Sequence, residues 1–364
     1  MSFTSIPILD LELTRDSATK PEFLKQLRHA LIEVGFLYLK NVDIPPELFQ
    51  EVIERGKSFF DIPLEEKNKL DMKNVPSFLG YSGVSAEMTA GEVDRREQIE
   101  LSTEHPIPAP GSPLYHNFLA PNQWPSEDIL PGFREVYTDY MRRMGHVSMY
   151  FTSLVAEAIG LPADAFNKYF DTDQQNKLKI LKYPSMEPGN VDETQKGQGV
   201  GPHKDSMLTS YLLQATQHHG LQVQNMLGEW IDCPPVDGTL VVSIGQSMEA
   251  LTKGVCVATT HRVLSPAAGT GARFSMPFFQ GVRLDADFDE LETVGIGAVP
   301  EEVRRQRLEV IERNGGRVDD VKFSLRKGAV VNKVGEALLR IRVKAYPEVG
   351  ERWYPDILMA VRGE

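Results

Sequence analysis

From Leu178 onward the chain is cut into short apolar runs, and this feature limits most what it can fold into. The runs KLKILKY, SMLTSYLLQ, GLQVQNM, GTLVVSIG and RFSMPFF are each bounded by Gly, Pro, Asn or Asp. Runs this short, separated by turn residues, read as strands. Five such strands cannot cover both their faces, so a second sheet or helices must do it. A barrel or sandwich is the expected core, mainly β with flanking helices.

The rest of the chain supplies the helices. Residues 6–11 alternate as an opening strand, and residues 21–34 carry Phe23, Leu24, Leu27, Ala30, Leu31 and Val34 at helical spacing. Gly35 ends that helix, and FLYLKNV reads as a buried strand. Residues 45–60 and 132–159 are again helical, while the Pro-rich stretch 103–131 reads as a long loop. Residues 286–318 return to a charged helical pattern, and a helix is expected around 336–343. The expected organisation is an N-terminal helix and strand region over 1–130, packed on a core of long helix and strands over 131–285. A C-terminal helix and lid over 286–364 complete one integrated unit.

Charge and cysteine content exclude some functions. The net charge of −12 gives no reason to expect nucleic-acid or anionic-membrane binding. The two cysteines, Cys233 and Cys256, form no CxxC pair, so neither a disulfide framework nor a cysteine zinc site is expected. No signal-peptide pattern and no membrane-length apolar run is present, so a cytoplasmic protein is expected.

The strongest local signal for chemistry is Gly201-Pro202-His203-Lys204-Asp205. On a strand, His203 and Asp205 share a face and Lys204 points away. An imidazole and a carboxylate on one face can grip a divalent cation, and His261 can complete the set if a barrel folds it back. Two His and one carboxylate form the facial triad of non-haem iron(II) oxygenases. His218-His219 diverge on a strand and make a poor chelate. Twelve residues after His261, Arg273 and Ser275 also share a face, with Phe274 opposite. A guanidinium beside a hydroxyl is a receptor for a carboxylate, though Arg273 could equally pair with a structural acid.

The order YP, GPHKD, GLQV, GEWI, TLVVSIG, THRV and RFSMPFF resembles the iron(II)- and 2-oxoglutarate-dependent oxygenases of the isopenicillin N synthase-like group. The match is densest over 179–280, and a weaker one runs from IPILDL through GFLYLKN and FFDIPLEEK to Gly80-Tyr81. The resemblance implies a double-stranded β-helix, a distorted jelly roll. It implies iron(II) on His203, Asp205 and His261, with 2-oxoglutarate and O2 as co-substrates. Arg273 and Ser275 match the pair that holds the distal carboxylate of 2-oxoglutarate. Tyr183 matches a tyrosine that hydrogen-bonds the same carboxylate, and Lys179 matches a position near the co-substrate. The chain departs from the family pattern at Leu181, commonly Asn, at Ser243-Ile244-Gly245-Gln246 in place of Asn-x-Gly-Asp, and at Lys204 in place of Thr.

Charge neutrality agrees with this assignment. Iron is balanced by Asp205 and by the chelating end of the 2-oxo acid, and the far carboxylate meets Arg273. The implied activity is a dioxygenase that couples 2-oxoglutarate decarboxylation to hydroxylation, desaturation or ring formation on a small or medium secondary metabolite. Tyr81, Met88, Arg96 and Phe279 are candidate substrate contacts, and the arm 323–343 is a candidate lid. Two other readings remain open at this point. One is an iron oxidase of the same fold whose Arg273 and Ser275 clamp the substrate itself. The other is a metal-free binding protein on the same scaffold.

Overall fold

The strand runs assemble into two sheets that share an interior. The structure is a computed structural model describing residues 2–89, 92–170, 175–186, 197–287, 299–316 and 332–363. With strands numbered in chain order, the main sheet holds β1 (Ile8–Asp10), β2 (Phe36–Lys40), β3 (Gly80–Ser82), β6 (Glu97–Ser102), β7 (Lys177–Tyr183), β9 (Thr209–Gln214), β12 (Thr239–Ile244) and β14 (Arg273–Gln280). Their spatial order is β1-β2-β12-β9-β14-β7-β6-β3. The smaller sheet runs β11-β10-β13-β8, made of β8 (Gln198–His203), β10 (Leu221–Gln224), β11 (Trp230–Asp232) and β13 (His261–Leu264). A short hairpin, β4 (Met88–Thr89) with β5 (Glu92–Val93), stands apart. All pairs are antiparallel except β1 with β2.

Period-two alternation sorts the side chains. Phe36, Leu181, Tyr183 and Val241 of the main sheet meet Val200, Val223 and Val263 of the smaller one in a shared core. The opposite face of the main sheet packs against helices. The long helix Phe133–Ala158 buries Phe133, Tyr137, Tyr140, Met144, Val147, Phe151, Leu154 and Val155, a stripe recurring every three or four residues. Phe151 meets Tyr211 of β9 edge-on at 6.0 Å. This layering is the distorted jelly roll with outer helices that the motifs imply. Among the described residues, no helix is long and apolar enough to cross a membrane.

Gly35 shows why the N-terminal segment is threaded as it is. Its φ of +73° closes the turn Ala30–Val34 and turns the chain into β2. A Cβ there would lie 2.3 Å from Thr259 Oγ1 and from Val257 O, the segment leading to His261. Only glycine allows that approach.

Three elements differ from the sequence expectation. The helix expected over 21–34 is Lys20–His29 followed by a wider turn, Ala30–Val34. The charged helix expected over 286–318 forms as Glu301–Arg313, and residues 288–298 lie outside those described. The largest difference is β6, a strand over residues to which the sequence reading gave no regular element. Glu97, Gln98, Glu100 and Ser102 are buried, because strands and ion pairs surround them. Of the expected lid arm 323–343, residues through 331 lie outside those described. Its remainder belongs to the helix Val334–Ala345.

Candidate active site

Pairing of β8 with β13 sets the centre. His203 ends β8, His261 opens β13, and the two are register partners. Their ring centroids lie 4.2 Å apart. Asp205 follows in the loop after β8, and both His Nε2 atoms stand 3.8 Å from its Oδ1. One ligand atom from each of the three residues lies within 4.8 Å of the others.

The surroundings fix which atoms are free. His203 Nδ1 faces Gly201 O at 2.8 Å, and His261 Nδ1 faces Thr259 O at 3.2 Å. A carbonyl only accepts, so each Nδ1 carries the proton and each Nε2 keeps its lone pair. Burial pushes the His203 imidazole down from its ordinary value, and neighbouring His261 adds to the effect, so the ring is neutral. Asp205 Oδ2 accepts from Ser210 Oγ at 2.5 Å and Ser243 Oγ at 2.8 Å, leaving Oδ1 toward the imidazoles. Burial raises that carboxyl, but His261, His203 and the two hydroxyls outweigh it and hold it below the usual range. Two imidazole lone pairs and one carboxylate oxygen converge, a donor set that fits a divalent transition metal.

Gly245 secures the Asp205 loop. A Cβ there would fall 1.8 Å from Met207 O, and Gln246 N donates to Asp205 O at 2.8 Å. The departure Ser243-Ile244-Gly245-Gln246 therefore keeps the glycine that close approach demands. Ser243 becomes a hydrogen-bond donor to the carboxylate.

Beside this centre, β14 presents Arg273 and Ser275 to the interior. Arg273 is 1% exposed and is register partner to Tyr183. Its Nη1 lies 3.4 Å from Ser275 Oγ, its Nη2 lies 3.3 Å from Gln214 Oε1, and its guanidinium stands 5.1 Å from the Tyr183 ring. Among the described residues no carboxylate pairs with it, so burial lowers its pKa. A buried guanidinium lacking an acid is a receptor for one. Gln214 was not singled out in the sequence, although alternation along β9 from Ser210 through Leu212 places it on the interior face. Leu181, where the family commonly has Asn, offers only an apolar wall and pairs with Ser275 and Gln98.

A cavity of about 770 Å³ holds both groups and extends past them. Met88 and Phe279 line it, as do Leu338 and Ile341 from the helix Val334–Ala345. Lys179 lines it too, but pairs with Glu87 at 3.3 Å and Glu100 at 3.7 Å. Arg96 lies in the same wall, held by Glu87 at 2.5 Å and Asp94 at 3.1 Å. Tyr81 does not line the cavity. It is buried on the other face of the sheet, where its hydroxyl donates to Glu97 at 3.0 Å. The sequence reading missed Glu87, Glu100, Lys177 and Arg342, all of which line the cavity.

Comparison with known proteins agrees with this geometry. Residues 174–282 match the model of the 2OG-Fe(II) oxygenase superfamily. Residues 6–127 match the N-terminal model of the non-haem dioxygenase in morphine synthesis. The chain is 61% identical to the 2-oxoglutarate-dependent dioxygenase frbJ of Dothideomycetidae sp. (strain 11243), over 100% of this chain and 96% of that protein. It is 40% identical to a 2-oxoglutarate-dependent dioxygenase of Gibberella zeae, over 98% and 93% of the two chains. Among solved structures it resembles a full-length Neurospora crassa protein crystallised in complex with alpha-KG. There the TM-score is 0.67 and the identity 25%, covering 85% of this chain and 96% of that one. The chain belongs to the iron(II)- and 2-oxoglutarate-dependent oxygenase superfamily. It is a dioxygenase that uses iron(II), 2-oxoglutarate and O2 to oxidise a small organic molecule. The 2-oxoglutarate-coupled reading is thus favoured over the oxidase and the metal-free binding protein.

Proposed function

We propose that His203, Asp205 and His261 hold the iron of this dioxygenase, and that Arg273 and Ser275 hold the distal carboxylate of 2-oxoglutarate. The convergence of two Nε2 lone pairs and Asp205 Oδ1 within 4.8 Å carries the reading. When bound, iron and 2-oxoglutarate supply activation of O2 coupled to decarboxylation of the co-substrate. The protein's part is to hold and orient. Ser210 and Ser243 fix the Asp205 carboxylate, and the carbonyls of Gly201 and Thr259 fix the imidazole tautomers. Arg273 offers its fork to the distal carboxylate, with Ser275, Tyr183 and Gln214 as neighbours. Lys179 belongs to the substrate wall instead, since Glu87 and Glu100 engage it.

The substrate is a small or medium secondary metabolite, which a cavity of about 770 Å³ accommodates. A cytoplasmic setting fits two cysteines that are both free and buried. Anaerobic reconstitution with iron(II) tests the assignment. Asp205→Ala should lose both iron and succinate formation while the fold survives. The loss should exceed the roughly 10–100-fold typical of removing an outer-shell partner. Normal iron content in that variant would rule out this ligand set.

A further inference from the structure

In the same cavity, charged residues of the segment 87–100, of β7 and of the helix Val334–Ala345 form a largely buried wall with an unusual sequence of signs. Asp94 Oδ2 pairs with Arg96 at 3.1 Å, and Arg96 pairs with Glu87 at 2.5 Å. Glu87 pairs with Lys179 at 3.3 Å, and Lys179 reaches Glu100 at 3.7 Å. Up to this point the signs alternate. Beyond Glu100 they do not. Its two oxygens meet Lys177 at 3.2 Å and Arg342 at 2.8 Å, two cations on one carboxylate that Lys179 already shares. Arg96, Lys177, Lys179 and Arg342 are four cations against the three acids Glu87, Asp94 and Glu100. The surplus lies at the Lys177 and Arg342 end.

That end is also short of acceptors. Glu100 is the one carboxylate within ion-pair distance of Lys177 among the described residues, and a Phe118 ring lies 4.8 Å from Nζ. Arg342 Nη2 donates also to Phe78 O at 3.2 Å, while its Nε is buried with no acceptor among the described residues. An uncompensated buried cation is costly unless an anion joins it. The co-substrate does not supply that anion. On the reading above, iron, Asp205, Arg273 and 2-oxoglutarate sum to zero among themselves. Strand register places Lys177 beside Phe279, and Phe279 beside Ser210, the residue that holds Asp205. Two strand spacings, about 10 Å, separate the surplus cation from the metal side. Met88, Phe279 and Ile341 line the same cavity.

We propose that the oxidised substrate carries a carboxylate that docks between Lys177 and Arg342, with an apolar chain reaching toward the metal ligands. Within this ion-paired set the surplus is one charge, which one carboxylate balances. This inference rests on Arg273 being the 2-oxoglutarate clamp, since otherwise two anions would compete for the cations.

The test uses the full-length protein with manganese(II) and saturating 2-oxoglutarate under nitrogen. Hexanoate and hexanamide, equal in chain and different in charge, are titrated calorimetrically. Hexanoate should bind at least about 10-fold more tightly, the ratio set by one charge-assisted contact. Lys177→Met should erase the preference with the 2-oxoglutarate dissociation constant unchanged within about twofold. Lys177→Arg, which retains the charge, should keep it. Equal binding of acid and amide, binding of neither, or displacement of hexanoate by 2-oxoglutarate would overturn the proposal. Unchanged 2-oxoglutarate binding in Arg273→Met, with the hexanoate preference intact, would instead overturn the Arg273 clamp and leave the cation pair standing.

Discussion

Two buried arginines line one cavity and stand in opposite electrostatic situations. Arg342 pairs with Glu100 at 2.8 Å. Burial lowers its pKa, but Glu100, Tyr346 and Glu87 more than reverse this, and the net shift is upward. Arg273 has no acid among the described residues, and its net shift is downward. Exposure separates the two only slightly, at 1% for Arg273 and 12% for the Arg342 side chain. The partner separates them fully. Arg342 keeps a share of Glu100 with or without a ligand, whereas Arg273 has no acid among the described residues and depends on a ligand for all of its charge balance. The β6–β7 wall is mostly the first kind, and the β14 clamp is the second.

Stability should show the largest effect of this difference. Glu100 is fully buried against three cations, which hold its carboxyl down at about 2 despite the raising effect of burial. Glu100→Gln leaves those cations facing one another and should cost roughly 3–5 kcal/mol in denaturant unfolding. Arg273→Met removes a buried charge that lacks an acid, so the apo protein should be unchanged or more stable. If Glu100→Gln proved neutral, or Arg273→Met destabilised by as much, the contrast between the two regions would be wrong.

Ligand binding should show the converse. Arg273→Lys keeps the charge and loses the planar fork. Losing one charge-assisted bond of roughly 1.5–3 kcal/mol should raise the Michaelis constant for 2-oxoglutarate about 10- to 150-fold. The maximal rate should fall less, because the clamp holds ground state and transition state alike. A 2-oxoglutarate titration of succinate formation reads both. An unchanged constant would detach Arg273 from the co-substrate.

The two regions were not equally legible in the sequence. His203, Asp205 and His261 were visible because a metal-binding centre leaves a short His-x-Asp signature, although Asp205 lies in the loop after β8 and not on the strand that alternation assumed. Arg273 and Ser275 were visible for the same reason, two apart on one strand. The Glu100 end of the charged wall was hidden because its members have their partners far along the chain. Glu100 meets Lys177 and Arg342 across 77 and 242 residues. Read locally, Arg96–Glu100 is a polar segment fit for solvent, and only tertiary pairing makes it a buried strand. Lys177 and Lys179 were within reach. They share a strand face with Tyr183, so placing Tyr183 in the interior places them there too.

The smallest effect, and the finest test of the contrast, is a difference in pH response between the two anion sites. Burial pushes the Lys177 ammonium down to about 8, with nearby Arg342 and Lys179 lowering it and Glu100 opposing them. Its folded pKa thus lies below the ordinary lysine value, so between about pH 8 and pH 10.5 the unfolded chain binds more protons. Through that window Lys177 should make stability rise with pH, since its charged form is disfavoured in the fold. Carboxylate binding should move the other way. An acid docked at Lys177 needs the ammonium, so its dissociation constant should increase several-fold from pH 7.5 to pH 9.5. The 2-oxoglutarate constant should stay flat over the same range, because a guanidinium keeps its proton there. Parallel hexanoate and 2-oxoglutarate titrations on one protein preparation compare the two directly. If both constants rose together, the two sites would share a titrating group, and the separation of clamp from charged wall would fail.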